Sequence, residues 1–547
     1  MYVLGMNLLH DTSVALLKNG KPIAAVEEER FIRQKHTTNF PIQSLKWVLN
    51  YAGITLKDIE KVVLSFKIDD FKDNIYPFEQ NTIMQDDLTK NGQIKIIRDN
   101  NLVYNNLLQK LNRYGISNWI GIPHHLAHAA GAYYSSGFKN ANIIIIDGRG
   151  EKFSTSLLSG ENGKIHSLKE YSIKDSLGHL YTYVTYLAGL YSSIGQEGKT
   201  MGLAPFGKPN IEMEQLFNNI IYYENLSYKI NKKNLYKLKQ FLQKEGKITK
   251  ASASLTYYVQ RLYNQVIIGL AQEAYTLTGY KNFALSGGVT LNCEGNRQLL
   301  SLPYVNKLFI QPAANDSGSS LGAALYWWNK YNKPNSNISF DNLVYLGPEY
   351  TNDEIIDLLK KYKLPYTFEK APETLAANLL ADGKIIGWFQ GRLEYGPRAL
   401  GNRSILANPL LPNVKKKINT LIKFREPWRP FAPSILREHI RDYFCVDGDF
   451  PYMTICLKCK KDKEHQIADA LNIDGTARIQ TVSKENNLMY YNLLTKFYEK
   501  TSLPILLNTS LNSHEPMVCT PRDAIRTFMT SGLDILIMNN IVLCKQK

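Results

Sequence analysis

Short apolar runs separated by polar turns fill the first part of the chain. Residues 3–9, 13–18 and 22–26 are rich in strand-forming side chains, and Asn19-Gly20 is typical of a tight hairpin turn. The run at 142–147 contains four consecutive isoleucines, which predicts a strand that is buried on both faces. These patterns predict a chain of the α/β class that begins as a sheet.

Runs with helical spacing alternate with further strand-like runs up to about residue 330. The same criteria predict strands at 61–65, 118–122, 282–285 and 307–311. They predict helices at 43–53, from about residue 124, and at 177–192, 255–279 and 318–328. Residues 208–250 are polar and lysine-rich, and we expect them to form a helical insertion. The sequence has no evident internal repeat.

Polar residues with Pro and Gly at 329–350 interrupt this alternation and predict a linker. A new alternation follows, with helices at 353–362 and 372–382 and a strand at 385–389. We therefore expect two domains, 1–345 and 350–547, which agrees with the usual number of residues in a domain.

Composition narrows the possible classes of function. The 547 residues include 44% apolar and 21% charged side chains, near the globular average. No run of 18 apolar residues occurs, and Met1-Tyr2-Val3 begins a strand-like run rather than a signal peptide, so we expect no membrane segment. Six cysteines are too few for a disulfide framework, which favours a reducing, cytoplasmic location.

The net charge of +16 has three interpretations. It fits a solvated basic surface, or the binding of anionic small substrates such as nucleotides and acyl phosphates. Binding of nucleic acid is the third, but no basic arm and no nucleic-acid motif occurs, so we expect no nucleic-acid partner.

Two histidines and two aspartates form a candidate metal site. His124 and His128 are four residues apart, so they share one face of the predicted helix. Asp147 ends the isoleucine strand, and Asp316 follows the strand at 307–311 and opens the next helix. Such a set suits Fe(II), Mn(II) or Zn(II). The alternative is that the histidines only cap and pack their helix.

Glycine turns after strands suggest a nucleotide site. Ser286-Gly287-Gly288-Val289, with Asn292 beyond it, follows one strand, and Asn315-Asp316-Ser317-Gly318 follows another. Glycine allows backbone amides to approach phosphate, and helix N-termini favour anions. Gly198-Lys199-Thr200 is not a P-loop, because Ser193 stands where glycine is needed, although it can still line a nucleotide pocket.

Arginines set among glycine turns mark the second domain. Segments 391–398 and 401–404 lead into Lys423, Arg425 and Arg429, and then into 474–478 and 507–510. Such a pattern suits gripping several phosphate and carboxylate oxygens at once. The alternative is a surface cluster.

Taken together, these motifs resemble the NodU/CmcH O-carbamoyltransferases, which include antibiotic O-carbamoyltransferases. The resemblance covers nearly the whole chain, is most specific from Gly391 to Pro433, and leaves 208–250 unmatched. It rests on 10–13, 27–36, 124–128, 197–204, 286–289, 394–404, 429–433 and 508–510.

The resemblance implies an N-terminal actin-like (ASKHA) ATPase domain, similar to TsaD, the tRNA-threonylcarbamoylating enzyme, and a C-terminal YrdC-like domain. It further implies that the YrdC-like half makes carbamoyladenylate from carbamoyl phosphate and ATP, with Mg²⁺ possible alongside the ATP. The actin-like half then transfers the carbamoyl group to a hydroxyl of a small-molecule acceptor and leaves AMP. The opening strands of the chain agree with an actin-like domain, but a shared fold alone does not establish function.

The resemblance also implies roles for individual residues. His10 is the expected base, because histidine can change protonation near neutral pH, and His36 and Asp11 are expected to orient the acceptor. The metal is expected to be iron, held by His124, His128, Asp147 and Asp316. The spacing of the histidines, which is shorter here than in tRNA-modifying relatives, favours His124 over His125. Carbamoyl phosphate and ATP are assigned to Arg398, Lys423, Arg429, Arg478 and Ser510. The nucleotide of the first domain is assigned to Glu197, Gly198, Gly202, Gly287, Gly288, Asn292 and Gly318.

Three rival functions remain at this point. A tRNA threonylcarbamoylating enzyme has similar chemistry, but the fused arginine-rich second domain argues against it. A sugar kinase would need a catalytic Asp and would not explain that domain, and a nucleotide-gated binding protein is the rival that is not an enzyme. The pattern leaves the acceptor alcohol open, and a homodimer is possible.

Overall fold

The structure, a computed structural model, describes residues 1–69, 100–191, 195–224, 227–246, 252–332 and 343–545. The chain divides into two compact units. The first contains Met1–Glu28 and His36–Phe340, and the second contains Glu29–Lys35 and Asp341–Lys547. A short segment of the N-terminal sequence thus belongs to the second unit, which nothing in the sequence pattern indicated. Part of the predicted linker, residues 333–342, lies outside the described residues.

The first unit has a mixed α/β fold. Its strands are β1 (Tyr2–Asn7), β2 (Ser13–Lys18), β3 (Lys21–Glu27), β4 (Ile59–Leu64), β5 (Trp119–Gly121), β6 (Asn140–Ile146), β7 (Phe153–Glu161), β8 (Lys164–Ser172), β9 (Ile221–Glu224), β10 (Ser227–Ile230), β11 (Asn282–Ser286) and β12 (Lys307–Ile310). Four of the five residues of the short helix α1 (Glu28–Ile32) belong to the second unit. The helices of the first unit are α2 (Ile42–Ala52), α3 (Asn100–Arg113), α4 (His124–Ser136), α5 (Leu177–Leu187), α6 (Glu197–Leu203), α7 (Ile211–Phe217), α8 (Lys232–Lys244), α9 (Ala253–Thr278), α10 (Cys293–Leu300) and α11 (Ser319–Tyr331).

Two five-stranded sheets in this unit share one topology. The first has the order β3-β2-β1-β4-β5, and the second has the order β12-β11-β6-β7-β8. In each sheet the first three strands along the chain pair antiparallel, and the last two continue the sheet in parallel. The strand pairing of the first sheet is therefore repeated in the second, although the sequence has no evident repeat.

Most predicted elements of this unit are confirmed, and three predictions need correction. The hairpin of β7 and β8 was not predicted, although Asn162-Gly163 at its tip has the positive φ values of a tight turn. The segment 208–250 is not only helical, because β9 and β10 lie between α7 and α8 and pair antiparallel. Helix α5 ends at Leu187 rather than at 192, and Gly189 follows with a φ of +68°.

The second unit is built on one eight-stranded sheet. The strands of this unit, two of which lie outside that sheet, are β13 (Thr367–Phe368), β14 (Ile386–Phe389), β15 (Arg403–Ala407), β16 (Ala432–Leu436), β17 (Cys456–Lys458), β18 (Thr476–Arg478), β19 (Gln480–Val482), β20 (Ile505–Ser510), β21 (Ile535–Met538) and β22 (Ile541–Cys544). Its helices are α12 (Asn352–Lys361), α13 (Pro372–Ala381), α14 (Val414–Leu421), α15 (Ile440–Tyr443), α16 (Leu488–Thr501) and α17 (Pro521–Met529). The sheet has the order β13-β22-β21-β14-β15-β20-β16-β19, and β17 and β18 pair separately.

Within the part of the chain that the structure describes, no helix combines the length and the apolar character needed to cross a membrane.

Candidate functional site

The four predicted metal ligands meet at one edge of the second sheet. Helix α4 carries His124 and His128 on one face, and Asp147 directly follows β6. Asp316 opens a short 3-10 turn after β12. Since β6 and β12 both run parallel to β11, their carboxyl ends lie at the same edge, where ligands of such sheets commonly bind.

The ligand atoms of these four residues all lie within 4.8 Å of one another. Nε2 of His124 is 3.1 Å from Nε2 of His128 and 3.2 Å from Oδ2 of Asp147. Oδ1 of Asp316 is 3.6 Å from Nε2 of His124 and 3.8 Å from Nε2 of His128. Both histidines are fully buried, Asp147 is buried and Asp316 is half-buried, so the group lies inside the unit rather than on its surface.

The hydrogen bonds of the Nδ1 atoms orient both imidazole rings. Nδ1 of His124 lies 3.2 Å from the carbonyl oxygen of Ser65, which can only accept, so this nitrogen carries the proton. Nδ1 of His128 lies 3.0 Å from the hydroxyl of Ser286, which can pass its own proton to the carbonyl of Ala314. With Nδ1 engaged in both rings, Nε2 is the nitrogen that faces the group, and a metal would bind there in place of a proton.

Asp147 is held by backbone amides. Its Oδ1 accepts from the amide nitrogens of Gly148, at 2.8 Å, and Gly288, at 3.2 Å, which leaves Oδ2 for the histidines. Gly287 has a φ of +94°, and a Cβ there would lie 2.3 Å from the carbonyl oxygen of Ile146. Two of the glycines predicted to bind nucleotide therefore shape the turn that orients a candidate metal ligand.

The electrostatics of the group favour a bound cation. Burial opposes protonation of His124, yet the carboxylates of Asp316 and Asp147 raise the pKa of this ring to about 9. Burial alone would raise the pKa of Asp316, but the two histidines hold that pKa below its usual range. The two carboxylates can thus compensate positive charge inside a buried site.

Sequence reasoning missed two residues that position His124. Glu151 accepts a hydrogen bond from the amide nitrogen of His124 at 2.8 Å, so a carboxylate caps the start of α4. Ser65 accepts from the ring, as described above, and its hydroxyl donates to Oδ1 of Asn7 at 3.2 Å. The segment from Asp147 to Glu151 contains two glycines, which is the signal that could have drawn attention to Glu151.

A second polar cluster contains His10, Asp11 and His36. Oδ1 of Asp11 lies 2.9 Å from Nδ1 of His36, and Oδ2 lies 3.5 Å from Nδ1 of His10. Burial would raise the pKa of Asp11, but the hydrogen bond from His36 and the charge of His10 help to lower it to about 2. One buried carboxylate therefore orients two half-buried imidazoles, whose rings stack at 5.7 Å.

The two clusters share one turn. Asn315 donates to Oδ2 of Asp11 at 2.8 Å, and its neighbour Asp316 belongs to the metal-ligand group. His10 also lowers the pKa of Asp316 through its charge. Nε2 of His10 is buried and has no hydrogen-bond partner among the described residues, so this ring retains an unused polar atom.

Other residues predicted for nucleotide binding make internal contacts. Asn292 pairs through both atoms of its amide with Gln260, at 2.9 and 3.1 Å, and caps α10. Glu197 accepts from the hydroxyl of Thr182 at 2.7 Å. A Cβ at Gly318 would lie 1.9 Å from the carbonyl oxygen of Ala313, whereas a Cβ at Gly198 would meet open space. Gly202 is buried in α6, and a nucleotide contact at these positions stays a prediction.

In the second unit, the structure brings Lys423 and Ser510 together. The ammonium nitrogen of Lys423 donates to the backbone oxygen of Ser510 at 2.5 Å and to Oδ1 of Asn512 at 2.7 Å. The same nitrogen lies farther from the hydroxyl oxygen of Ser510, at 3.3 Å. Burial and the charges of Arg425 and Lys35 hold the pKa of Lys423 well below its usual value.

The neighbouring arginines form a cationic group. Burial, Arg429 and Arg478 together lower the pKa of Arg425 to about 9, and burial lowers that of Arg429. Arg429 forms a long ion pair with Glu426, at 3.8 Å, and both side chains are about one third exposed. Arg398 lies half-buried in the loop between β14 and β15. Half-buried cations that lower one another's pKa are typical of a binding site for anions.

Arg403, in the same arginine and glycine motif, has a different position. It is fully buried and donates to the carbonyl oxygens of Gln390 at 2.6 Å and Pro348 at 3.0 Å. Its guanidinium lies 3.6 Å from the ring centroid of Phe389. Glu394 is also buried, and its carboxylate accepts hydrogen bonds from the amide nitrogens of Leu400 and Asn402. Part of this motif therefore stabilises the loop between β14 and β15.

Comparison with known families decides the assignment. Residues 2–325 match the family described as Carbamoyltransferase N-terminus, and residues 377–545 match Carbamoyltransferase C-terminus. The chain belongs to the carbamoyltransferase family. The predicted resemblance to NodU-type proteins is thereby confirmed. Both polar clusters of the first unit lie within the N-terminal match, and Lys423, Arg429 and Ser510 lie within the C-terminal match of this carbamoyltransferase.

Relatives of the carbamoyltransferase extend over most of its length. It is 34% identical to Nodulation protein NolNO of Sinorhizobium fredii, over 98% of this chain and 79% of that protein. It is 26% identical to Nodulation protein U of Rhizobium tropici, over 94% of this chain and 91% of that protein. Full-length HypF in its phosphate- and nucleotide-bound form aligns with 61% of this chain at 15% identity, but the TM-score of 0.37 does not establish a shared fold.

Proposed function

We propose that this carbamoyltransferase is an ATP-dependent O-carbamoyltransferase with a small-molecule acceptor. It makes carbamoyladenylate from carbamoyl phosphate and ATP, and then transfers the carbamoyl group to an acceptor hydroxyl. The observation that carries the proposal is the joining of two clusters through Asn315 and Asp316. A buried set of metal-ligand candidates thereby lies next to a pair of histidines that share one carboxylate.

The first unit supports the transfer step. Its two sheets of identical topology agree with the expected actin-like domain, and His124, His128, Asp147 and Asp316 are the residues that would hold a divalent transition metal. The donor set fits, because both Nε2 atoms and a carboxylate oxygen of each aspartate face one another, and a metal would replace the proton on Nε2. Fe(II) is the expected ion. When bound, such an ion supplies Lewis acidity that polarises an acyl or phosphoryl oxygen.

His10 is the residue we assign as general base. A hydroxyl is a poor nucleophile, so a base that removes its proton during attack accelerates transfer. Asp11 holds the Nδ1 side of both His10 and His36, which directs Nε2 of each ring away from the carboxylate. His10 keeps its Nε2 without a partner among the described residues, and this makes it the better base of the two.

The second unit is the expected place of adenylation, in a YrdC-like role. Carbamoyl phosphate loses phosphate to water and gives carbamate, whose oxygen then attacks the α-phosphorus of ATP and displaces pyrophosphate. Both substrates are polyanions, and Arg398, Lys423, Arg429, Arg478 and Ser510 are the residues we assign to them. Transfer then breaks the bond between the carbamoyl carbon and the adenylate oxygen, so AMP leaves.

The proposal is tested with the full chain, carbamoyl phosphate, ATP, Mg²⁺ and Fe(II). Pyrophosphate should appear only when carbamoyl phosphate and ATP are both present, and AMP should accumulate once an acceptor alcohol is added. An untargeted search for metabolites that gain one carbamoyl mass would identify that acceptor. Metal-loaded, folded protein that releases no pyrophosphate from the two substrates together would overturn the proposal.

A further inference from the structure

The carboxylate of Asp11 brings two imidazole nitrogens together, outside the four-residue metal-ligand group. Nδ1 of His36 lies 2.9 Å from Oδ1 of Asp11, and Nδ1 of His10 lies 3.5 Å from Oδ2. One potential ligand atom of each of these three residues lies within 4.8 Å of the other two. The three side chains therefore form a second donor set in the first unit, with two nitrogens and one carboxylate.

Hydrogen bonds to the backbone fix the two segments that carry these side chains. The amide of Asn7, which is fully buried, donates to the carbonyl oxygens of His10 at 2.5 Å and Asp11 at 3.2 Å. The amide nitrogen of Thr12 donates to the carbonyl oxygen of Thr37 at 3.3 Å, which joins this turn to the segment of the second imidazole. The fold itself thus brings the three donors together.

The backbone of two of the three residues is in an unusual conformation. Asp11 and His36 have φ values of +49° and +53°, in the left-handed region. Few residues with a Cβ adopt this region, and those that do are concentrated at functional sites. Gly195 lies against the other side of the His36 ring, because a Cβ there would lie 2.2 Å from Nε2. The strained backbone and the glycine together keep Nδ1 of His36 turned towards Asp11.

Two imidazole nitrogens and one carboxylate suit a borderline transition ion such as Zn(II). Open Zn(II) sites hold the ion with three protein ligands and leave a fourth position for water or substrate. His10 and His36 are each about one third exposed, so such a position is accessible here. The hydrogen bond from Asn315 occupies one lone pair of Asp11, and the other lone pairs of the carboxylate can bind an ion.

We propose that His10, Asp11 and His36 form a second divalent-cation site, and that Zn(II) bound there inhibits transfer. The site is weaker than the buried group, because it offers three ligands instead of four and is more exposed. When the ion occupies both Nδ1 atoms, the proton of each neutral ring lies on Nε2, so His10 no longer accepts a proton from the acceptor hydroxyl. The binding follows from the geometry, and its effect on transfer rests on the proposed function.

The binding test uses full-length protein whose first metal site is filled, dialysed against a series of free zinc concentrations. Mass spectrometry measures bound zinc together with the first metal, so displacement from the buried group is detected. Wild type should bind one zinc beyond the first ion. His36→Ala and Asp11→Asn should bind that zinc more weakly by over about 100-fold, since losing a direct ligand costs more than losing an outer partner.

Two further variants serve as controls. His166→Ala, which removes an exposed histidine, should match wild type, and His128→Ala should lose the first ion but keep the second site. Circular dichroism checks folding, and Asp11→Asn decides the question if His36→Ala does not fold. The inference is wrong if wild type binds no zinc beyond the first ion, or if Asp11→Asn binds it within about twofold of wild type.

Transfer from supplied carbamoyladenylate is measured in the same titration. Zinc should inhibit the wild-type rate with a midpoint at the dissociation constant of the second site, and the midpoint should rise with the weaker binding of Asp11→Asn. Zinc that fills the second site and leaves transfer unchanged would refute the inhibition. If zinc binds there but wild type shows no transfer even without zinc, the cation site stands and the proposed function fails.

Discussion

The side-chain amide of Asn315 donates to Oδ2 of Asp11 at 2.8 Å, across 304 positions of the sequence. Asp11 lies in the turn between β1 and β2, and Asn315 lies in the turn after β12, so the bond joins the two sheets of the first unit. Asp316, next in the chain, belongs to the buried histidine and carboxylate group. A single turn thereby sets the position of the proposed base relative to the proposed metal.

Replacement of His128 should remove the metal. His128→Ala deletes one of the two imidazole ligands, so metal content measured by mass spectrometry should fall from about one ion per chain to near zero. His166→Ala, which removes an exposed histidine from β8, is the matched control and should keep its metal. Equal metal content in the two folded variants would contradict the assignment of the site.

Ser286 should affect the metal affinity of the same site without contacting the ion. Ser286→Ala removes the partner of Nδ1 of His128, so metal affinity should fall by about 10- to 100-fold while the fold is kept. A competition titration with a metal chelator measures this. An unchanged affinity would mean that packing alone orients the His128 ring.

The metal-ligand group could be predicted because each of its residues lies in a recognisable local sequence pattern. His124 and His128 have helical spacing, and Asp147 and Asp316 each follow an apolar strand. The residues that orient them could not be predicted. Ser65 meets His124 only because β4 and β5 pair in parallel, and a contact of that kind depends on sheet register rather than on neighbouring sequence.

The second unit shows a similar limit. Its arginine and glycine motif indicated anion binding, but sequence alone did not separate Arg403, which is buried among carbonyl oxygens, from Arg429, which joins the cationic group. The sequence also did not predict that residues 29–35 belong to this unit, because their hydrogen-bond acceptors in it are backbone oxygens. Backbone oxygens occur at every residue and leave no sign in the sequence.

Arg429→Ala should separate the two half-reactions. Loss of a charge-assisted contact to phosphate costs about 1.5–3 kcal/mol, so formation of carbamoyladenylate should slow by roughly 10- to 150-fold. Transfer from supplied carbamoyladenylate should persist, because the proposed base and metal ligands lie in the first unit. Arg437→Ala, which removes an arginine paired with Asp447, is the control. An equal loss of both half-reactions in folded protein would refute the division of labour between the units.

Arg403→Met should destabilise the second unit rather than weaken binding. Burial lowers the pKa of Arg403 to about 10, yet its donors satisfy several carbonyl oxygens, and its removal leaves these and the nearby Glu394 uncompensated. Breaking a buried charged network of this kind costs about 3–5 kcal/mol. Urea unfolding measures the loss, and a change below about 1 kcal/mol would show that the guanidinium is dispensable.

Asp11→Asn should change the dependence of stability on pH in acid. The pKa of Asp11 is lowered from 3.8 to about 2 in the folded chain, so its ionised form stabilises the fold above about pH 4. That contribution, about 2 kcal/mol, is lost as the pH falls towards 2. The difference in unfolding free energy between wild type and Asp11→Asn should therefore shrink from pH 5 to pH 2. The exposed Asp382, changed to Asn, serves as the control, and a constant difference for Asp11→Asn would be inconsistent with the lowered pKa.

His10→Ala tests the proposed base. The ring is half-exposed and its Nε2 has no partner among the described residues, so its removal should leave the fold, the metal and carbamoyladenylate formation intact. Transfer from carbamoyladenylate should slow by roughly 10²- to 10⁴-fold, which is the usual contribution of a general base.

The pH profile of transfer separates a base from a mere contact. A base must be unprotonated to act, so the wild-type rate should fall on the acid side, and His10→Ala should lose that limb while its other limbs remain. His36→Ala gives the comparison, since both rings share the carboxylate of Asp11. If His10→Ala is slow but keeps the acid limb, and His36→Ala loses it, then His36 is the base and His10 only positions the acceptor.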